Sequence, residues 1–185
     1  MIVSKSSKAP RKWGLCVLLA TFFALFLISC SGQSVIKWGG ESYYVSYDKN
    51  FFGVVSEAND ELQLNILDVK DSPIIKIIAV PDFKLSEGVL VSDLLDQAKI
   101  EFEDSFKKIT NNIADRSSSG GAEEVRITIT GYQKGSKELS IGMTRVLISN
   151  DAILQVRVVD SAAKIEKFIP QLQELFDSAR VSPEK

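Results

Sequence analysis

Two stretches of the chain carry apolar side chains at three- and four-residue spacing. Leu94, Leu95, Ala98, Phe102, Phe106 and Ile109 predict a long amphipathic helix from Val91 to about Ile109, with Ser92 as its N-cap and Asp93 in its first turn. Ile165, Phe168, Ile169, Leu172, Leu175, Phe176 and Ala179 predict a closing helix capped by Ser161. Pro170 falls inside that stripe and should kink the helix or mark a restart.

Elsewhere the period is two. Tyr43 to Tyr47 and Phe51 to Ser56, around Asp48-Lys49-Asn50, read as two strands joined by a tight turn. Leu62, Leu64 and Ile66 alternate with Gln63 and Asn65. Ile74 to Val80 is apolar at nearly every residue, so a central strand covered on both faces is expected. Ser117-Ser118-Ser119-Gly120-Gly121 reads as a flexible connection, and without a Gly-Lys-Ser/Thr ending it is not a phosphate-binding loop. Three antiparallel strands follow, through Val125–Ile129, Leu139–Ile148 and Ile153–Val159. In the second of them parity changes before Val146, which calls for a bulge near Gly142 or for cover on both faces.

The first 29 residues are of a different kind. Lys5, Lys8, Arg11 and Lys12 precede an apolar run from Trp13 to Ile28, the order of a secretory signal peptide. Roughly sixteen mostly apolar residues fall short of the ~20 that span a bilayer comfortably, and no stop-transfer cluster follows. Residues 30–42, mostly small and polar, read as a tether, 43–181 as one domain, and 182–185 as a frayed tail.

Composition narrows the chemistry. Setting aside the four basic leader residues leaves 18 of 22 against 24 acids, a formal charge near −6 for the remainder. That balance argues against a nucleic-acid partner and against electrostatic attachment to anionic lipid. Of the two cysteines, Cys16 lies in the leader and Cys30 at its end, so the body has no thiol for a disulfide. The chain has no histidine, which excludes Ser-His-Asp and Cys-His catalysis and the usual Cys/His zinc sites. No cofactor motif is present. The acids Asp96, Glu101, Glu103 and Asp104 on the first helix read as a solvated face rather than a cation site. If the last turn is tight, Arg145, Gln155 and Arg157 would share a face of two neighbouring strands and could receive a carboxylate or phosphate. The aromatic cluster of Tyr43, Tyr44, Tyr47, Phe51 and Phe52 could line a ligand groove or pack a sheet.

Leu27-Ile28-Ser29-Cys30 resembles the lipobox of bacterial lipoproteins, position for position. The resemblance implies that the Cys30 sulfur carries a diacylglycerol, that residues 1–29 are removed, and that the new amino terminus is acylated. More than one acyl chain makes such anchoring stable. An uncleaved anchor helix ending in Cys30 would put the body at the same bilayer surface. Ser31 after the cysteine looks like the outer-membrane choice of enteric bacteria rather than the inner-membrane one.

Early strands, one long helix, a three-strand meander ending near Asp160-Ser161-Ala162 and a closing helix with an internal Pro170 together resemble the PsbP-like fold, over roughly residues 42–181. That fold is shared by the PsbP subunit of photosystem II, the Ran-binding Mog protein and the bacterial lipoprotein DcrB. It implies an α+β domain, an antiparallel sheet flanked by helices in an α/β/α sandwich, with a binding or accessory role rather than a reaction. No functional residues carry over from it. The expectation is a lipid-anchored, non-catalytic domain in the bacterial envelope that acts on a protein partner, with a small-ligand or anion carrier as the alternative.

Overall fold

A computed structural model of the chain describes residues 34–119 and 121–181. The leader, the lipobox with Cys30, and the 182–185 tail lie outside the described residues.

The described chain runs β1 (Val35–Gly39), β2 (Tyr43–Asp48), β3 (Phe52–Ala58), β4 (Glu61–Ile66), β5 (Ile75–Pro81), α1 (Val91–Glu103), β6 (Phe106–Ser119), β7 (Ala122–Gln133), β8 (Leu139–Ile148) and β9 (Ala152–Ser161). A short helix α2 (Ala162–Ile165), one 3₁₀ turn, helix α3 (Ile169–Ser178) and strand β10 (Arg180–Val181) complete it. Seven strands form a sheet in the order β3-β4-β5-β9-β8-β7-β6, and a second sheet has the order β1-β2-β10. All the pairings are antiparallel.

The period-two pattern decides what each face of the large sheet buries. On its front face Leu62, Leu64, Ile75, Ile77, Leu154, Val156 and Val158 meet Leu172, Leu175 and Phe176 of α3 and Val45 of β2. On its back face Val125, Ile127, Ile129, Val146 and Ile148 meet Leu95 and Phe102 of α1. Helices on both faces of an antiparallel sheet make the expected α/β/α sandwich. β8 is buried along nearly its whole length because both layers cover it. Its pairing with β7 runs without a shift from Tyr132–Leu139 to Glu123–Ile148, so the parity change reflects double cover, not a bulge.

Several expectations are corrected. β5 buries Ile75, Ile77 and Ala79 but leaves Lys76 and Val80 exposed, so only its front face is covered. The stretch read as a tether contains β1, which pairs with β2 and buries Trp38, so the folded unit begins at Val35. The turn at Asp48 is real, closed by the Phe51 N–H donating to the Asp48 carbonyl at 3.0 Å, but β2 and β3 do not pair. They leave the turn into different sheets.

Helix α1 stops at Glu103, six residues before the expected end, and begins after Leu90, so Ser92 is not its cap. Phe106 belongs to β6 yet packs edge-on against Phe102, with ring centroids 6.1 Å apart. The four-residue spacing thus survives across a helix-to-strand junction. The serine run expected to be a flexible connection is the end of β6, paired register for register with β7 up to Ser119–Ala122. In the closing segment Pro170 marks a restart: it sits in the first turn of α3, where its missing N–H costs no helical hydrogen bond.

Gly142 lies beneath the two rings of the back core. An added Cβ there would stand 2.7 Å from Cζ of Phe106 and 2.9 Å from Cζ of Phe102. Gly142→Ala should therefore destabilise the fold by about 1–3 kcal/mol through overpacking. A urea midpoint identical to that of the parent chain would show that the rings do not seat on this position.

Candidate functional site

Strand register decides where the polar residues go. The β8–β9 pairing sets Thr144 opposite Arg157, Arg145 opposite Val156 and Val146 opposite Gln155. Arg145 therefore projects to the front face with Val156, while Gln155 and Arg157 project to the back. The three residues do not converge, and the anion clamp expected from them is not formed. Gln155 Nε2 donates to Thr144 Oγ1 at 3.4 Å. Arg157 stands directly opposite Lys76 on the open part of the back face.

Arg145 has a different role. Its side chain is 6% exposed, and its Nε donates to Glu124 Oε2 at 2.8 Å while its Nη2 ion-pairs with the same oxygen. Nη1 donates to the carbonyls of Phe176 at 2.6 Å and Ala179 at 3.1 Å, at the end of α3. A guanidinium thus caps a helix C-terminus, where unpaired carbonyls and the helix dipole favour a cation. Arg126 joins Glu124 at 3.2 Å and ion-pairs with Asp177, and Arg180 binds the Asp177 and Ala179 carbonyls. These groups border a cavity of about 350 Å³. Burial by itself would raise the Glu124 carboxyl, but hydrogen bonds from Arg145 and Ser117 and the charges of Arg145 and Arg126 hold it below the ordinary carboxylate range. Desolvation pushes the Arg145 guanidinium down, against the opposing pull of Glu124.

Glu123 and Glu124 lie on opposite faces, opposite Ile148 and Leu147 respectively. On α1, Glu103 pairs with Lys99 at 2.8 Å and accepts from Asn112, and Asp96 pairs with Arg116. Among the described residues no group of three or more potential metal-ligating side chains converges.

The aromatic cluster divides. Tyr43 is buried against Trp38 at 5.7 Å and donates to Asp60 Oδ1 at 3.0 Å; burial and Asp60 raise its pKa. Tyr44 lies under the Lys37 ammonium at 3.7 Å. Tyr47, Phe51 and Phe52 line a recess of about 370 Å³ with Leu175 of α3. Phe51 is edge-on to Phe52 at 4.8 Å and to Phe168 at 6.2 Å, which holds this wall. The Ser178 hydroxyl, accepting from the Ser46 N–H at 3.0 Å and donating to the Ser46 carbonyl at 2.7 Å, pins β2 to α3 beside it. Asp48, Gln171 and Glu174 supply the polar rim, and Val35 of β1 borders the mouth. The alternation of β2 and its aromatic turn marked half of this recess in the sequence. Gln171, Glu174 and Leu175 come from a helix more than a hundred residues later; Leu175 was legible only as part of that helix's apolar stripe, and nothing local placed any of the three beside β2.

No family model matches the chain, and no curated protein matches it. Solved structures do match. Cyanobacterial PsbP from Synechocystis superposes with a TM-score of 0.59 at 10% identity, covering 82% of this chain and 95% of its own. LpqN of Mycobacterium tuberculosis, involved in cell envelope biogenesis, gives a TM-score of 0.60 at 11% identity, covering 86% and 96%. A Pseudomonas aeruginosa protein of unknown function gives 0.51 at 8% identity, covering 81% and 99%. At such identities the likeness is one of fold. The chain is an α+β protein with the PsbP-like fold.

Two outcomes follow from the Arg145 network. Arg145→Met takes both guanidinium bonds from Glu124 Oε2, leaving that carboxylate with Ser117 and Arg126, and removes the cation from the end of α3; it should cost about 1–3 kcal/mol in urea unfolding, with part of the loss recovered by adding Glu124→Leu. Because the folded-state pKa of Glu124 lies below its unfolded value, its stabilisation is complete above the ordinary carboxylate range and is lost as pH falls through the depressed value. Glu124→Gln should therefore flatten the acid side of the stability profile, read as urea midpoint against pH from neutrality downward.

Proposed function

We propose that this protein is a membrane-tethered, non-catalytic accessory domain of the bacterial envelope, acting by binding. The observation that carries the reading is the short interval between Cys30 and the first strand at Val35. Five residue steps span at most about 18 Å, so acylation of Cys30 would hold the folded unit against the bilayer surface.

The fold supports the same reading. Its structural neighbours include LpqN, a protein of cell envelope biogenesis, and PsbP from a cyanobacterium. Two carboxylates that could in principle do acid–base work, Glu124 and Glu103, are occupied by Arg145 and Arg126 and by Lys99 and Asn112. The chain has no histidine to supply a base near neutral pH. On this reading the partner is an envelope protein and the site is the outer membrane.

Cys30→Ser should abolish both maturation and palmitate labelling, with the mass of the mature amino terminus as the readout. Cross-linking the parent protein in membranes should capture a partner that this variant does not. Unchanged processing and labelling in Cys30→Ser would overturn the anchor, and turnover of a substrate lost on mutating Glu124 would overturn the non-catalytic role.

A further inference from the structure

The back face of the large sheet is only half covered. Helix α1 lies over β6, β7 and β8, and the core beneath it takes in Ile153 and Val159 of β9 but no residue of β5. On β5 the back-face side chains are Lys76 and Val80, both exposed, and the half-buried Ile78. Val80 is 45% exposed although β5 is the third of seven strands and not an edge. Ile78 and Val80 alternate with the buried Ile75, Ile77 and Ala79, the pattern of a strand covered on both sides. The domain supplies cover for one side only.

The charges on the same face are unmatched. Register sets Lys76 directly opposite Arg157, so that the row Gln63, Lys76, Arg157, Thr144 crosses β4, β5, β9 and β8. Like charges directly opposite one another in antiparallel strands are destabilising. Among the described residues neither Lys76 nor Arg157 forms an ion pair with a carboxylate. Glu61, on the diagonal from Lys76, accepts instead from Gln63 Nε2 at 2.7 Å. Two cations set against each other beside uncovered aliphatic side chains are what a carboxylate on an apolar partner surface would complement.

Dimensions select the shape of that partner. A strand takes about 4.8 Å of sheet width, so the adjoining β3, β4, β5 and β9 present about 19 Å. A helix with its side chains is about 10–12 Å across, and α1 shows how one lies on the other half of this face. The free half has room for one more. A second copy of this face would set Lys76 and Arg157 against their own counterparts, since a two-fold interface pairs a patch with itself.

We propose that the open back face of β4, β5 and β9 is the docking surface for an amphipathic helix of a protein partner, seated beside α1, with a carboxylate between Lys76 and Arg157 and apolar side chains on Ile78 and Val80. This gives the partner's chemistry on the reading that the domain acts by binding, and it does not depend on the anchor.

The test treats cells producing the full chain with a zero-length carbodiimide, which condenses an ammonium with a touching carboxylate to an amide. Mass spectrometry should place an amide between Lys76 and an Asp or Glu of another protein, with apolar residues three or four positions from that acid. Exposed Lys49 and Lys70 are the references for unselective coupling. Val80→Asp and Arg157→Gln keep Lys76 and should each lower the yield of that product about tenfold, the worth of one charge-assisted hydrogen bond. Both side chains face the open side, and a urea midpoint no lower than the parent's verifies the fold. In the isolated protein Lys76→Glu should raise the urea midpoint by roughly 0.3 M, because it turns a repulsive cross-strand pair into an attractive one. Coupling at Lys76 no greater than at Lys49 and Lys70, a yield unchanged in both variants, or a midpoint that does not rise would overturn the proposal. An amide to a second copy of this chain would overturn it in favour of self-association, and an acid without helically spaced apolar neighbours would overturn the helix. Acylation of Cys30 is read separately, from the mass of the mature amino terminus, so failure of the anchor and failure of this surface are distinguishable.

Discussion

One buried guanidinium ties the layers together. Arg145 leaves the centre of β8, meets Glu124 on β7, and reaches the last carbonyls of α3 at Phe176 and Ala179. Immediately after Ala179 the chain enters β10, whose two residues pair with Tyr43 and Tyr44 of β2. A single side chain thus joins β7, β8 and the end of α3, next to the point where β10 pairs with the small sheet. The desolvation of that cation is offset by its bonds to a carboxylate and to the carbonyls that end α3.

The recess is a consequence of the same arrangement. β2 and β3 are consecutive in the chain but belong to different sheets, so the turn between them bridges the layers instead of closing a hairpin. Phe51 and Phe52 at that crossing pack against Phe168 and the front core, and both also line the recess. Opposite them, α3 presents Leu175 inward and Glu174 outward, so an apolar wall and a carboxylate rim arise from adjacent residues of one helix turn.

β6 shows why some of the fold was hidden. Its residues from Lys107 to Ser118 are exposed, because it is an edge strand reached by only part of α1. An edge strand in water carries charge and polarity on both faces, which discourages pairing with another molecule and also erases the alternation by which strands are read. What makes it a strand is its partner β7, whose own alternation is plain. The end of α1 was concealed by the converse effect: Phe106 keeps helical spacing with Phe102 because both rings fill one core from two elements.

Periodicity by itself gave two helices and the strands of the central meander and left Pro170 as either a kink or a restart, since burial on one side of a helix or strand writes a period into the chain; the α+β sandwich came with the resemblance of the element order to the PsbP-like fold. The sequence also determined the candidate acyl site at Cys30, a local chemical pattern that needs no fold to be legible. Only the tertiary structure decided that Arg145 faces away from Arg157, because a one-residue difference in register places side chains on opposite faces of a sheet. Likewise only the packing of α3 on β2 brought Gln171 and Glu174 to Asp48 and Tyr47, since contacts between residues more than a hundred positions apart leave no periodic trace in either segment.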